Sequence, residues 1–373
     1  MLWNWKRRNW PNFSFSSDHL KSYEREFLRK AGELSGSLKH ISEDEHESLK
    51  VDLMSNEAYK TSEIEGEILD RASLQSSIKR HFGLRSDHRK IPPAEHGIAE
   101  MMVDLYRTYD KPLTHDQLFK WHSMITIGRR DLLAIGKYRT HEDPMQIVSG
   151  RVDLPQVHFE APPSSQVPKE MQAFVNWYNQ TKSIEPLTKA GIAHLYFESI
   201  HPFEDGNGRI GRAISEKVLS QSLGRPTLIA ISSLIEQDKK AYYSKLQKNS
   251  SDLEITDWLE YFCELVLKAQ EYTQRMIDFL IEKSKYYRMY DHELNERQKK
   301  VIDRVFRAGV NGFKGGLSAD NYMSVSGTSA STATRDLQKL VDLGALVRKG
   351  ERKGTRYYLT IDHPVGNAHG LIP

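Results

Sequence analysis

Residues 201–212 read HPFEDGNGRIGR, which places an imidazole, acidic side chains, three glycines and two arginines within one short segment. His201 is a candidate general base near neutral pH. Asp205 is a hard oxygen ligand of the kind that binds Mg²⁺ jointly with phosphates. Glycines let backbone N–H groups turn toward a ligand with no Cβ in the way. A helix opening near Asn207 adds its own free N–H groups and the positive end of its dipole, and the two together make a phosphate cradle. Arg209 and Arg212, at i and i+3, lie on neighbouring faces of the first turn and can reach polyphosphate oxygens with bidentate forks. A base, a metal ligand, an anion cradle and two arginines in register are suited to transferring a phosphate-containing group to a hydroxyl.

This segment resembles the signature of the Fic family, H-x-F-x-[DE]-G-N-G-R-x-x-R, at every fixed position: His201, Phe203, Asp205, Gly206, Asn207, Gly208, Arg209 and Arg212. The resemblance implies an all-helical Fic core over about residues 110–270 and transfer of AMP from ATP to a Ser, Thr or Tyr hydroxyl of a protein. It implies that His201 deprotonates the target hydroxyl and that Asp205 holds Mg²⁺ against the α- and β-phosphates. Gly206, Asn207 and Gly208 would form the anion hole, Arg209 would contact the β-phosphate and Arg212 the γ-phosphate. Ile210 and Gly211 fall within the same nucleotide-binding segment, and Phe203 would anchor the loop in the core. Family members that transfer phosphate instead typically lose the small glycines. Gly206 and Gly208 are present, which favours nucleotidyl transfer. Tyr243, with Tyr242 beside it, is the candidate to meet the adenosine.

Upstream, Thr61-Ser62-Glu63-Ile64-Glu65-Gly66 resembles the [ST]-x-x-x-E-[GN] motif of an inhibitory helix found in many Fic proteins. Thr61 and Glu65 stand at i and i+4, on one helix face. By that resemblance Glu65 pairs with Arg212 and competes with the γ-phosphate by charge and by occupancy. In some family members the equivalent glutamate helps hydrolyse the AMP–protein bond, so AMP removal at the same site is an alternative reading.

The elements that must hold these residues are mainly helical. Apolar residues recur at helical spacing over 16–48 and 49–82, and RSDHRKIPP (85–93) reads as a loop. Thr114 with Gln117 forms a capping box for a helix reaching about Ile127. Residues 134–168, rich in Gly and Pro, predict a loop and a small β-hairpin, in the place of the Fic flap that holds a target chain by strand addition. Helices are expected over 167–181, from Pro186 to about Ile200, and from Thr256 to about Arg288.

The expected organisation is an N-terminal helical region (1–90) carrying Glu65, a Fic core (110–270) and a third domain (290–373). In the last, a helix capped by Asn295, helices over 318–325 and 331–343, and two strands around a basic loop resemble a winged helix-turn-helix. Residues 291–360 hold 13 Lys/Arg against 8 Asp/Glu. Thr332, Thr334 and Arg335 would face a DNA groove, and Arg348, Lys349, Arg352, Lys353 and Arg356 would meet phosphates. DNA is thus a candidate partner, beside ATP and an unidentified target protein. The rival functional reading is a DNA-binding regulator whose Fic core senses nucleotide. The family resemblance makes a homodimer plausible.

Composition sets the outer bounds. A net charge of +3 over 373 residues does not by itself demand nucleic acid. The single cysteine, Cys263, excludes a disulfide framework and a multi-cysteine zinc site and fits a cytoplasmic protein. No run approaches the length of a membrane span. Trp3, Trp5 and Trp10 sit in a segment without the apolar stretch of a secretory signal and are expected to pack onto the domain that follows.

Overall fold

The computed structural model describes residues 2–39, 41–151, 154–313 and 315–362. The expected third domain therefore extends past the described residues at 363–373, and the expected hairpin includes two residues outside them, 152 and 153. The described residues hold fourteen α-helices and two small antiparallel sheets. In order these are α1 (Ser17–Leu38), α2 (Glu43–Ile64), α3 (Arg71–His81), α4 (Pro93–Thr108), α5 (His115–Ile125), β1 (Gln146–Arg151), β2 (Leu154–Glu160), α6 (Val167–Gln180) and α7 (Pro186–Ile200). There follow α8 (Asn207–Leu223), α9 (Ile231–Gln237), α10 (Lys239–Asn249), α11 (Thr256–Tyr290), α12 (Glu296–Phe306), α13 (Ala319–Ser326), α14 (Ala330–Asp342), β3 (Leu346–Lys349) and β4 (Arg356–Leu359). No helix among the described residues is long and apolar enough to cross a membrane.

The chain groups into two units. One takes the chain up to Gly36 and Lys50–Thr273, the other Ser37–Leu49 and the chain from Gln274 on. The 110–270 segment and the 1–90 segment apart from Ser37–Leu49 group together in the first unit.

Local chemistry explains where the elements start and stop. The helical texture of 16–82 breaks between α1 and α2 and again between α2 and α3, and two residues frame the second break. Gly66 adopts φ 85 just past α2, and Asp70 caps α3 by accepting from Ser73 N at 2.8 Å. The proline pair at 92–93 closes the loop and opens α4, because proline at the first helical position forfeits no hydrogen bond. Thr114 does cap α5, but Gln117 turns its amide to Thr108 Oγ1 (2.8 Å), so the capping box is only half formed.

In the first unit α7 is apolar nearly all round, as befits a helix enclosed by others. Leu187, Ala190, Leu195, Phe197 and Ile200 are fully buried. Trp258 of α11 donates to Gly191 O (2.8 Å), where a Cβ would strike Leu259 Cδ2 at 2.8 Å. The N-terminal tryptophans do pack inward. Trp3 meets Phe159 edge-on (5.4 Å), Trp5 Nε1 donates to Glu160 O (2.6 Å), and Trp10 packs on Tyr196 (5.1 Å). Strands β1 and β2 pair antiparallel with an irregularity between Ile147 and Val148.

The second unit has its own core of Val301, Ile302, Phe306, Leu337, Leu340, Leu346 and Leu359. Reciprocal capping boxes at Asn295 and Ser318 start α12 and α13. β3 and β4 pair antiparallel, and Leu317 bridges to Tyr357.

Candidate active site

Helix α7 ends because His201 takes a left-handed conformation (φ 49, ψ 61), its N–H bonding Phe197 O at 3.0 Å. The chain then turns back on itself. Asn207 Oδ1 accepts from Phe203 N (3.0 Å) while Nδ2 donates to Phe203 O (2.8 Å). Phe203 is fully buried, stacked on the His122 ring at 4.2 Å. Gly206 caps α8 at φ 83, where a Cβ would meet Ile125 Cδ1 at 2.6 Å. The first N–H to close an α8 turn is Ile210, onto Gly206 O. The N–H groups of Asn207, Gly208 and Arg209 therefore have no partner within the helix and form its anion-binding end.

Around that end the charges are dense. Arg209 is 2 % exposed and bonds Glu67 Oε2 (2.7 Å), with Asp205 Oδ1 at 3.4 Å. Arg212, 3 % exposed, donates to Thr61 Oγ1 (2.7 Å), Thr61 O (2.9 Å) and Glu65 Oε1 (2.8 Å). Glu65 lies one residue beyond the end of α2, in the turn rather than on the helix face expected from the i, i+4 spacing. A Cβ on Gly208 would collide with the Glu65 carboxylate, so the glycine makes room for it. Tyr243 Oη donates to Glu65 Oε2 at 3.5 Å and is partly exposed. Tyr242 is buried against His194 Nε2 (2.6 Å).

The remaining expected residues play supporting parts in the packing. Asn207 faces the cradle only through its main chain, since its side chain holds the loop. The Ile210 side chain is in the core. Gly211 lies against Glu198, where a Cβ would stand 2.5 Å from Oε1.

His201 is held neutral. Burial first, and then the Arg139 charge, push its pKa down to about 4, against a weaker pull from the Glu198 carbonyl, Glu65 and Asp205. Burial works against the ionised form of Asp205. Arg209, the Gly206 N–H and Arg129 together outweigh it and keep the carboxyl below its ordinary value. No group of three or more His, Cys, Asp or Glu among the described residues could hold a metal ion. A divalent cation bound here would have Asp205 as its protein ligand, the rest coming from phosphate oxygens and water. That donor set is compatible with Mg²⁺.

Sequence reasoning missed four residues. Arg129 Nη1 pairs with Asp205 Oδ2 (2.5 Å) and grips Asp131 with Nε (2.8 Å) and Nη2 (2.5 Å). Arg139, 1 % exposed, donates to His201 O (2.8 Å) and Pro162 O (2.5 Å), fixing the loop's first residue. His122 accepts from Gly136 N through Nδ1 (2.9 Å) beneath Phe203. Glu198 lies one turn before His201. None carries a spacing signal of its own. Only Glu198 lies near enough in sequence to the loop to have been singled out.

Comparison with known proteins follows the same lines. The Fic/DOC family model matches residues 112–219, and a domain of unknown function, DUF4172, matches residues 3–84. A probable protein adenylyltransferase of Aquifex aeolicus, aq_aa38, is 42% identical over 64 residues, 17% of this chain and 20% of that protein. Protein adenylyltransferase fic-1 of Caenorhabditis elegans is 24% identical over 245 residues, 63% of this chain and 44% of that one. The chain thus spans less than half the length of these curated relatives. A Fic family protein from Desulfovibrio desulfuricans superposes with a TM-score of 0.53 at 21% identity, covering 94% of this chain and 98% of that one, a likeness of fold. The loop, its helix pair and the matched segment coincide: residues 112–219 form a Fic/DOC family domain.

Proposed function

We propose that this protein transfers AMP from ATP to a Ser, Thr or Tyr hydroxyl of a protein, with Mg²⁺, and that Glu65 restrains the reaction in cis. The observation that carries this reading is the open N-terminus of α8, flanked by buried Arg209 and Arg212, beside a neutral His201. A triphosphate seated there presents its α-phosphorus to an incoming hydroxyl. His201 accepts the hydroxyl proton as the new O–P bond forms. The bond from the α-phosphorus to its bridging oxygen breaks, and pyrophosphate leaves toward the arginines. Arg212 serves the γ-phosphate only when it is not engaged by Glu65. The names of the relatives agree with adenylyl transfer.

Lysate labelling tests this. Wild type, Glu65→Gly and His201→Ala are incubated with ATP labelled on the α- or γ-phosphate. Label from the α-position alone, stronger in Glu65→Gly and absent in His201→Ala, supports the reading. Label from the γ-position means phosphate transfer instead. Loss of label from a pre-modified target would favour AMP removal.

A second role belongs to the other unit. Thr334 and Arg335 are exposed on α14, as are Arg348, Arg352 and Lys353 on and beside β3. This supports a winged helix that binds DNA backbone, and salt-sensitive binding to random duplex tests it.

A further inference from the structure

Beneath the loop, Glu198 and His201 face each other one helical turn apart. Glu198 Oε2 stands 3.7 Å from His201 Nδ1, and each side chain is 12 % exposed. His201 Nδ1 and Glu198 Oε1 are both buried without a hydrogen-bond partner. Buried polar atoms nearly always find partners, so two orphans on adjacent groups mark a contact that forms in another state of the site. The Glu198 main-chain carbonyl also acts on the ring, as a weaker pull than burial and Arg139. The space around Glu198 is kept for it, because any side chain at position 211 would press on Oε1.

We propose that Glu198 is the positioning residue for His201: its carboxylate takes the Nδ1–H, leaving Nε2 free to accept the hydroxyl proton, and Glu65 prevents this while it occupies the site. The inference rests on the adenylyl-transfer reading and deepens it. The logic is that of any imidazole base whose second nitrogen is fixed by a carboxylate.

The charges around Glu198 say why the contact is open here. Burial raises its pKa to about 8, and the Glu65 carboxylate adds to the rise, while Arg212 opposes both. Tyr242 and Tyr243 of α10, both neutral, also face it, as does Arg212 of α8, and Gly211 brings the neutral His194 ring close. Arg139 bears on His201 from the other side. With Glu65 in place Glu198 keeps its proton and offers Nδ1–H only a weak, uncharged acceptor. When Glu65 leaves, one negative neighbour is gone and burial alone still works against Arg212 at Glu198. Its carboxyl then ionises at lower pH, and the contact closes. Glu65 on this view withholds the base as well as an arginine.

The test uses the full chain in the Glu65→Gly background, with and without Glu198→Gln, each checked for an unchanged melting temperature. Two readouts are taken. Transfer from α-labelled ATP is followed from pH 5.5 to 9 (an arbitrary range of roughly three and a half units chosen to bracket a displaced glutamate). The ring of His201 is titrated by NMR without nucleotide. We expect Glu198→Gln to lower kcat by about tenfold or more with KM for ATP unchanged, and to displace the acid limb of the profile. The His201 ring should titrate at lower pH once the carboxylate is gone. Superimposable profiles and an unmoved His201 titration would show that the Glu198 carbonyl alone orients the ring, and would overturn the proposal. Absence of transfer in both proteins with the His201 titration displaced would defeat adenylyl transfer and leave the pair standing. Should Glu198→Gln fail to fold, Glu198→Asp replaces it, with the same displacement expected in part.

Discussion

Arg129 Nη1 lies 2.5 Å from Asp205 Oδ2, so a guanidinium occupies the carboxylate face that a divalent cation would need. The same arginine is clasped by Asp131. Cation binding at Asp205 therefore works against this pair. Arg129→Ala, made in the Glu65→Gly background, should lower the Mg²⁺ concentration for half-maximal binding of a non-hydrolysable ATP analogue about threefold to tenfold, in line with the ~0.5–1.5 kcal/mol of a part-exposed charged pair. Calorimetric titration at stepped Mg²⁺ measures it, and an unchanged or raised midpoint refutes it.

Glu65→Gly should raise AMP transfer by about tenfold or more, the change that ~1.4 kcal/mol of removed competition produces. The increase should appear in the apparent affinity for ATP, because Arg212 is released, and in kcat, because the base is released with it. Glu65→Gln keeps the bulk and removes the charge, so it should fall between the two. Initial rates over a range of ATP concentrations separate the contributions.

Asn207→Ala removes both bonds that fold the loop back on Phe203. The Phe203 N–H and carbonyl would then be buried without partners, at a cost of about 1–3 kcal/mol. Chemical denaturation should show that loss. Transfer should fall as well, although the Asn207 side chain is turned into the loop onto the Phe203 main chain.

Glu216 gives a pH prediction. Burial foremost, with Glu57 as a further cause, raises its pKa to about 7 from 4.5, and Glu57 is likewise raised to about 7 by burial. A folded-state value above the unfolded one means the native state holds the proton longer. Stability is then fully present below the unfolded value and declines as pH rises through the folded one, between about 4.5 and about 7. Glu216→Gln should reduce the decline seen by urea denaturation between pH 5 and pH 8 (a window of about three units around both values). An equal decline in both proteins would contradict it.

The parts of the site legible in sequence are those that lie close together along the chain. His201, Asp205 and the glycines sit in one loop, and the loop's role follows from residue type and spacing. The reach of Glu65 to Arg212 was legible only through resemblance, since 147 positions separate them. Arg129 and Arg139 carry no periodicity, and what they do depends on carbonyls and carboxylates supplied from 62 and 76 positions away. Helix α4 was hidden for another reason. Pro92 and Pro93 are ambiguous between closing a loop and opening a helix, and only the fold decides. The apolar texture of α7 announced a buried helix, but not that it would end on His201 in a left-handed conformation.

Residue 14 has a consequence for how the molecule comes into being. Ser14 N bonds Leu253 O (2.8 Å), and Ile255 N bonds Ser14 O (2.9 Å), joining the beginning of the chain to a stretch some 240 positions later. Trp5 and Glu160 make a similar long closure. On a ribosome adding roughly 5–20 residues per second, that first closure waits for roughly ten to fifty seconds after residue 14 is made. Until residues 159 and 160 are made the leading segment travels as an undocked tail, and the Ser14 bridge waits longer still. Assembly of this unit therefore cannot finish until some of its oldest residues have met some of its youngest.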